Sequence, residues 1–268
     1  MMTDAVDRQI CFERVTGNVG AIVHGIELTG ATDAGARELL RRGLHEYGVL
    51  FFQFKDMVSA EEFNAFSEWF GDLEGPYGLS LSAGEELFID SEKTPMKDFS
   101  INRWHSDGTA LQCPPQAAML TPVELPEIGG DTMWASMYAA WEALSPPFQR
   151  LLDGLEVLHS TARVPFLRES PQTIHPAVIR DPVTGRKMLF VNSNYSERVI
   201  GMSSEESEKL LQMLFEHVNT PEFHVRLRWQ PGCIAVWEER VTQHRGVADF
   251  SGPRKLRRLT FKGDRPAA

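Results

Sequence analysis

Residues 104–108 read Trp-His-Ser-Asp-Gly, and they separate two differently organised parts of the chain. C-terminal to this pentapeptide, short runs rich in β-branched and aromatic residues alternate with turn residues, as in a barrel or a sandwich of short strands. One helix interrupts the series, because Ser203 and Glu206 form a capping box ahead of apolar residues at helical spacing. The predicted strands are 117–121, 132–136, 155–159, 187–192, 223–229, 233–237 and 256–262.

The part of the chain ahead of residue 75 mixes helices with strands. Thr32 can cap a helix that Gly48 ends, and Ser59 with Glu62 makes a capping box for a second helix that Gly71 ends. Helices here and strands behind residue 104 together predict an α+β fold. The two predicted strands of this part are 20–28 and 48–54.

Residues 75–103 are rich in Gly, Ser, Pro and charged residues, and only 87–89 are typical of regular structure. A loop of this length inside a compact domain is uncommon and often serves as the lid of an active site. A disordered surface insertion is the alternative. The predicted fold therefore includes a long lid loop.

The composition favours one globular domain that spans residues 1–268. Twenty-seven basic and 37 acidic residues give a net charge of -10, and 42% of the residues are hydrophobic. An acidic chain without a basic stretch lacks the charge that nucleic acids or anionic membranes attract, so neither partner is expected. The start of the chain has no signal-peptide pattern, and the three cysteines suit reduced buried thiols, so we expect a cytoplasmic location.

The pentapeptide at 104–108 is the first candidate for chemistry. In an extended segment His105 and Asp107 point to the same face and can bind one ion. An imidazole and a carboxylate suit a divalent metal of intermediate softness, and one more histidine would complete a two-His, one-carboxylate set. His244 is the best candidate, because it lies in polar sequence just after the predicted strand 233–237, where we expect it at a strand end.

Four other histidines have less informative surroundings. His24 and His159 lie in apolar runs and are expected in the core. His45 and His217 lie on predicted helices and are expected to face solvent.

The run 254–260 is the second candidate. If it is a strand, Arg254 and Arg258 lie on the same face, and Arg257 lies on the other. Whichever face points inward carries an arginine, and a buried guanidinium needs an anionic partner such as the carboxylate of a ligand. A solvated basic strand is one alternative. Another is that Arg258 pairs with an acidic side chain such as Glu238 or Glu239.

Taken together, these segments resemble the taurine dioxygenase (TauD/TfdA) family of Fe(II)/2-oxoglutarate oxygenases. The motifs are Trp-His-Ser-Asp-Gly at 104–108, Gly-Gly-Asp-Thr-Met-Trp at 129–134, Val-Thr-Gln-His at 241–244 and the Arg254/Arg258 pair. The resemblance covers nearly the whole chain. It implies a double-stranded β-helix, or jelly roll, flanked by helices.

Carried over residue by residue, the resemblance also implies a set of site residues. The implied iron ligands are His105, Asp107 and His244. The residues implied to hold the distal carboxylate of 2-oxoglutarate are Thr132 and Arg254, and those implied to lie at the substrate are Arg258 and Tyr195.

The sequence also departs from the taurine enzyme. His244 and Arg254 lie one residue closer together than their counterparts, which leaves an exchange of roles between Arg254 and Arg258 open. The histidine that contacts the sulfonate of taurine has no counterpart after 70–73, so taurine itself is not the expected substrate.

The resemblance implies an enzyme that uses Fe(II), 2-oxoglutarate and O2. It would hydroxylate or oxidatively cleave a small organic substrate, expected to be anionic, and release succinate and CO2. A zinc-dependent hydrolase with the same His/Asp/His set and a non-catalytic ligand-binding protein on the same fold are the alternatives. The sequence is also compatible with a homo-oligomer, and it leaves the substrate and the outcome of the oxidation open.

Overall fold

The computed structural model describes residues 10–28, 34–74, 87–91, 102–162 and 171–268. The helices are α1 Ala34–Tyr47, α2 Ala60–Ser67, α3 Met137–Glu142, α4 Pro146–Leu152 and α5 Ser204–His217, with a short 3-10 helix at Pro221–Phe223. The first nine strands are β1 Cys11–Arg14, β2 Ala21–His24, β3 Val49–Gln53, β4 Leu73–Glu74, β5 Leu87–Asp90, β6 Ala117–Glu124, β7 Thr132–Ser136, β8 Glu156–Ser160 and β9 Gln172–Pro176. The others are β10 Val178–Arg180, β11 Lys187–Leu189, β12 Ser196–Val199, β13 His224–Leu227, β14 Cys233–Glu238, β15 Thr242–Gly246 and β16 Lys255–Phe261.

The largest sheet has the strand order β1-β2-β3-β14-β6-β16-β4, and β5 also pairs with β16. All its pairings are antiparallel except that of β2 with β3. One face of this sheet is covered by α1 and α2 through an apolar cluster that includes Leu40, Leu44, Phe63, Phe66 and Val236. The other face is therefore free to form the site.

A smaller sheet with the order β13-β7-β15 lies against that other face. A second apolar cluster joins the two sheets, since it combines Phe51, Leu120 and Trp237 of the large sheet with Trp134 and Val225 of the small one. The strands that carry the predicted site residues therefore face each other. A third cluster packs α3, α5 and the strands β8, β10 and β11 beside them.

Most of the elements predicted from the sequence are present. Both capping boxes are formed, at Ser59 with Glu62 and at Ser203 with Glu206. Helix α2 ends at Ser67, earlier than the predicted end at Gly71, while Thr32 lies outside the described residues. The sequence missed six strands, β1, β4, β9, β10, β12 and β15. These strands are short, and β15 is polar, so pairing with neighbours rather than apolar alternation defines them.

The predicted lid loop at 75–103 falls largely outside the described residues. Its central strand β5 is described, and it pairs with β16 so that Leu87 lies opposite Arg258 and Asp90 lies opposite Lys255. The expectation of regular structure at 87–89 is thereby confirmed.

Two expectations for single histidines are wrong. His24 is exposed, with its Nε2 atom 2.8 Å from Glu13 Oε2. His45 is buried rather than solvent-facing, because α1 packs with its C-terminal end against the turn that follows β10. His159 is fully buried, as expected. Of the three free cysteines, only Cys233 is buried, while Cys11 and Cys113 are exposed.

No helix in the described ranges has both the length and the apolar character that a membrane span requires.

A buried carboxylate, Asp181, ties α1 and α3 to the turn after β10. Its Oδ2 atom accepts hydrogen bonds from His45 Nδ1, at 3.0 Å, and from the Tyr138 hydroxyl, while Oδ1 accepts from the Val183 and Thr184 amides. Burial alone would raise the pKa of Asp181, but the hydrogen bonds from His45 and Tyr138 outweigh burial and lower it well below its ordinary value. Asp181 is therefore ionised in the folded protein.

Asp181→Asn should lower the free energy of unfolding at pH 6–7 by about 3 kcal/mol, because removing one partner of a buried pair leaves His45 uncompensated. A depressed carboxyl pKa stabilises the fold above the unfolded pKa of about 3.9 and is lost as the pH falls further. The difference between parent and variant should therefore shrink from pH 6 to pH 3, as measured by urea denaturation. Asp153→Asn, which breaks an exposed pair with Lys187, is the control and should change stability far less. A difference independent of pH would contradict the role of the Asp181 charge.

Candidate active site

Two backbone hydrogen bonds place His105 beside His244. The His105 amide donates to the His244 carbonyl at 3.1 Å, and the His244 amide donates to the His105 carbonyl at 2.8 Å. His244 is the third residue of β15 and lies opposite Trp134 of β7. The expectation that His244 lies at a strand end is therefore wrong, because β15 pairs with β7 along its whole length.

Asp107 lies in a turn and not in the extended segment that the spacing suggested. Gly108 completes the turn with a φ of 62°, and a Cβ atom there would lie 2.8 Å from the Pro115 ring, so the position requires glycine. The turn still aims the carboxylate at both imidazoles. Asp107 Oδ1 lies 3.7 Å from His105 Nε2, and Oδ2 lies 3.6 Å from His244 Nε2.

The three side chains have the protonation states that a metal site needs. Burial lowers the pKa of His105 and, together with the neighbouring His105 ring, that of His244, so both imidazoles are neutral. Burial alone would raise the pKa of Asp107, but Arg258 and the two histidines lower it well below its ordinary value. One ligand atom from each side chain lies within 4.8 Å of the others. This neutral, neutral and anionic donor set fits a ferrous ion.

The ring orientation of His105 is fixed by a hydrogen bond. Its Nδ1 atom lies 2.7 Å from the Arg103 carbonyl oxygen and donates to it, which leaves the Nε2 lone pair directed at the site. His244 has no equivalent within hydrogen-bond distance, and its Nδ1 atom is buried without a partner among the described residues. The nearest carboxylate oxygen is Glu239 Oε2, at 3.7 Å.

Arg258 contacts the metal-binding cluster through Asp107. Its Nη2 group donates to Asp107 Oδ2 and, at 3.2 Å, to Glu239 Oε1, and its guanidinium lies 5.3 Å from the centre of the Trp237 ring. Within the described ranges, the Nε and Nη1 groups of Arg258 have no acceptor. Arg258 therefore pairs with Glu239, which was one of the alternatives derived from the sequence. Its Nε and Nη1 groups can still donate to a ligand.

Glu239 also lies at the site, although it was not among the site residues predicted from the sequence. It is 1% exposed, and its Oε2 atom accepts a hydrogen bond from the Asp107 amide at 3.0 Å. Burial, and then the charge of Asp107, raise the pKa of Glu239 well above its ordinary value. The available signal was the pair of acidic residues at 238–239, directly after an apolar strand.

Arg254 and Thr132 form a second polar group beside the first. Arg254 donates through Nε to the Gly130 carbonyl at 2.6 Å and through Nη2 to Thr132 Oγ1 at 3.3 Å. Arg254 is 3% exposed, and burial lowers its pKa to about 10. Among the described residues no carboxylate forms an ion pair with it, since the nearby Asp131 pairs with Arg226. Within the described part of the chain, Arg254 is thus a buried cation without an ion-pair partner.

Trp229 is a second site residue that was not predicted from the sequence. Its indole N–H group contacts Thr132. Its Nε1 group donates to Thr132 Oγ1 at 3.0 Å. Because the Thr132 oxygen accepts from both Trp229 and Arg254, its own hydroxyl proton is available for a different acceptor. Thr132 pairs with Gly246 in the sheet, two positions beyond the pair of Trp134 with His244.

Tyr195 completes the set predicted from the sequence. It is 6% exposed and packs against Ala110, in the turn that follows Asp107. Burial raises the pKa of Tyr195 well above its ordinary value, and the charge of Asp107 adds to this shift. Its phenol is therefore neutral and lies at the edge of the metal-binding cluster.

Comparison with known proteins identifies the family to which this arrangement belongs. The family model described as "Taurine catabolism dioxygenase TauD, TfdA family" matches residues 12–260. The chain belongs to the TauD/TfdA family. The resemblance inferred from the sequence motifs is thereby confirmed.

Relatives in this family match over nearly the whole chain. An alkylsulfatase of Acinetobacter baylyi is 29% identical and covers 96% of this chain and 86% of its own length. An alpha-ketoglutarate-dependent sulfate ester dioxygenase of Pseudomonas putida is 29% identical, with coverages of 94% and 89%. The crystal structure of a taurine dioxygenase from Burkholderia xenovorans has a TM-score of 0.82 at 33% identity, and covers 96% of this chain and 92% of its own.

Membership of the TauD/TfdA family makes the chain an oxidoreductase, an Fe(II)- and 2-oxoglutarate-dependent dioxygenase that uses O2. The prediction of this enzyme class and of its cofactors is confirmed. The zinc hydrolase and the non-catalytic binding protein are therefore set aside.

Proposed function

We propose that this TauD/TfdA dioxygenase binds Fe(II) through His105, Asp107 and His244 and oxidises a small organic substrate that carries an anionic group. The observation that carries the proposal is the convergence of two neutral imidazoles and one ionised carboxylate within 4.8 Å. Bound Fe(II) and 2-oxoglutarate together would activate O2, with release of succinate and CO2. Three protein ligands leave coordination positions open for such exogenous ligands.

In this proposal Arg254 and Thr132 hold the distal carboxylate of 2-oxoglutarate. Arg254 is buried without an ion-pair partner among the described residues, and a carboxylate would balance its charge. Thr132 can donate its hydroxyl proton to the same carboxylate, because Trp229 and Arg254 already donate to its oxygen. Arg258 is less suited to this role, since two carboxylates of the protein already surround it. The geometry therefore supports the assignment of Arg254 rather than the exchanged one.

Arg258 and Tyr195 would then face the substrate. The Nε and Nη1 groups of Arg258, which have no acceptor among the described residues, can bind an anionic group while Nη2 stays on Asp107 and Glu239. The names of two relatives, an alkylsulfatase and a sulfate ester dioxygenase, support a sulfate or sulfonate as that group. Tyr195 would supply an apolar ring and a neutral hydroxyl beside it.

The finer features of the fold belong to the same proposal. The two facing sheets would be the layers of a double-stranded β-helix, and residues 75–103 would close over the site as a lid. Supporting the lid, β5 pairs with the strand that carries Arg258, so the middle of this segment lies beside the site. A single domain over 1–268, a cytoplasmic location and a homo-oligomer stay predictions.

His105→Ala and Asp107→Ala should each abolish succinate release, because each removes a ligand of the metal. Both should also abolish the weak visible charge-transfer band that anaerobic Fe(II) with 2-oxoglutarate gives in the parent protein. His24→Ala is the matched control, because His24 is exposed and pairs only with Glu13 among the described residues. Absorption spectra under argon check the prediction, and a band that persists in both site variants would show that the ligands are wrongly assigned.

Arg254→Gln should raise the KM for 2-oxoglutarate by a factor equivalent to about 2–5 kcal/mol, since it removes one partner of a desolvated charge pair. Thr132→Val and Trp229→Phe should raise it less, because each removes one neutral hydrogen bond. Titration of the charge-transfer band with 2-oxoglutarate measures the affinity directly, and Arg228→Gln, at an exposed arginine, is the control. If Arg258→Gln weakens 2-oxoglutarate binding more than Arg254→Gln does, then Arg258 holds the cosubstrate and the two assignments must be exchanged.

Arg258→Met should raise the KM for an anionic substrate while the KM for 2-oxoglutarate changes little. Succinate release can be compared across sulfonates, sulfate esters and aryloxy acids, each paired with a neutral analogue of the same carbon skeleton. The parent should prefer the anionic member of each pair, and Arg258→Met should lose that preference. A parent enzyme that prefers the neutral members would refute the anionic substrate and leave the dioxygenase assignment intact.

A further inference from the structure

Two adjacent carboxylates, Glu238 and Glu239, are buried at the end of β14, and their partners differ completely. Glu238 is 0% exposed, and it binds Arg240 Nε at 2.7 Å and the amides of Arg240 and Val241 at 2.9 Å each. These contacts form the connection from β14 to β15 and leave Glu238 with a local cation. Glu239 is 1% exposed, and its side chain points to the metal-binding residues instead.

Each oxygen of Glu239 accepts a hydrogen bond either from Asp107 itself or from Arg258, which also contacts Asp107. Oε2 accepts from the Asp107 amide at 3.0 Å, and Oε1 accepts from Arg258 Nη2 at 3.2 Å. The same Nη2 group donates to Asp107 Oδ2. A closed ring of hydrogen bonds therefore runs from Glu239 to the main chain of Asp107, through its carboxylate to Arg258, and back to Glu239.

Asp107 depends on such a ring more than the two histidines do. His105 and His244 are fixed by backbone pairing, whereas Asp107 lies in a turn and its side chain is 25% exposed. The main chain of Glu239, by contrast, is anchored, because its amide donates to the Gln116 carbonyl at 2.8 Å. Glu239 can therefore transfer the rigidity of the sheet to the one ligand that the sheet does not hold.

His244 provides an independent reason for a carboxylate at this place. An imidazole that binds a metal through Nε2 keeps its proton on Nδ1, and that N–H group needs an acceptor. His105 has the Arg103 carbonyl, whereas His244 Nδ1 is buried and lacks a partner among the described residues. Glu239 Oε2 is 3.7 Å away, so a small movement of either side chain would form the bond.

We propose that Glu239 is a positioning residue that orients the metal ligands Asp107 and His244 and holds Arg258 against Asp107. This proposal rests on the proposed metal site at His105, Asp107 and His244. Carboxylates that orient metal ligands in this way typically change metal affinity by about 10–100-fold when they are removed. Glu239 therefore matters for binding of the metal itself, before cosubstrate or substrate is added.

The test is the affinity of the metal-free protein, residues 1–268, for Co(II), measured by isothermal titration calorimetry without 2-oxoglutarate or substrate. Glu239→Gln keeps the size of the side chain but puts an NH2 group where one oxygen accepts a hydrogen bond, and it should raise the Kd by about 10–100-fold. Glu239→Asp, which is too short to reach both partners, should also raise the Kd. It provides a second variant should the glutamine protein fail to fold.

Glu238→Gln is the matched control, because it changes a neighbouring carboxylate of equal burial that contacts no proposed metal ligand. It should lower the melting temperature and leave the Kd for Co(II) unchanged. The double variant Arg258→Met/Glu239→Gln should bind Co(II) more tightly than the sum of the two single effects predicts, since both residues belong to one ring.

The outcomes separate this proposal from the one on which it rests. If His105→Ala binds Co(II) as tightly as the parent, the metal site itself is wrong. If His105→Ala loses binding while Glu239→Gln and Glu239→Asp keep the parent Kd, the site stands and the role of Glu239 is refuted. An equal loss of affinity in Glu238→Gln and Glu239→Gln would refute it as well, because general damage to β14 would then explain both.

Discussion

The paired backbone hydrogen bonds between His105 and His244 are the constraint on which the site depends. They join the turn that carries Asp107 to β15, and β15 in turn pairs with β7, which carries Thr132. Without this junction, the imidazoles would belong to separate parts of the chain. The apolar cluster between the two sheets then makes the junction rigid, because the centre of the Trp237 ring lies 4.9 Å from that of the His244 ring and Trp134 packs against Trp237. Metal binding is thereby built on strands rather than on loops.

Charge balance explains why the pKa values of Arg254 and Arg258 shift in opposite directions. Both are buried, so each needs an anion nearby to offset the cost of desolvation. Arg258 has two carboxylates of the protein, and burial alone would lower its pKa, but Asp107 and Glu239 raise it. Among the described residues Arg254 has the charge of Asp131 but no ion pair, and burial lowers its pKa. The cation that the described residues leave unbalanced is therefore the one beside Thr132, where a ligand carboxylate would be most strongly stabilised.

The sequence was most informative where one local pattern decides the structure. The capping boxes at Ser59 and Ser203 and the strand at 132–136 follow from side chains close together in the chain. The metal-binding triad could be named because His-x-Asp and the distant His244 occur with other family motifs in the right order. The sequence could not show that Asp107 lies in a turn or that His45 is buried against Asp181, since both depend on contacts between distant segments. Strand β15 was missed for the same reason.

Glu238 and Glu239 show why burial alone does not identify a functional residue. Both follow the same apolar strand, and their exposures differ by 1%. Glu238 is balanced by Arg240, whose other guanidinium nitrogen pairs with Asp264, so its charge is satisfied within the scaffold. Among the described residues Glu239 has one arginine partner, Arg258, and shares it with Asp107, so the protonation of Glu239 is coupled to the charge of a proposed metal ligand. What separates the two carboxylates is the identity of their partners. A buried ionisable group whose partners are themselves candidate ligands is therefore better regarded as part of the site than as part of the core.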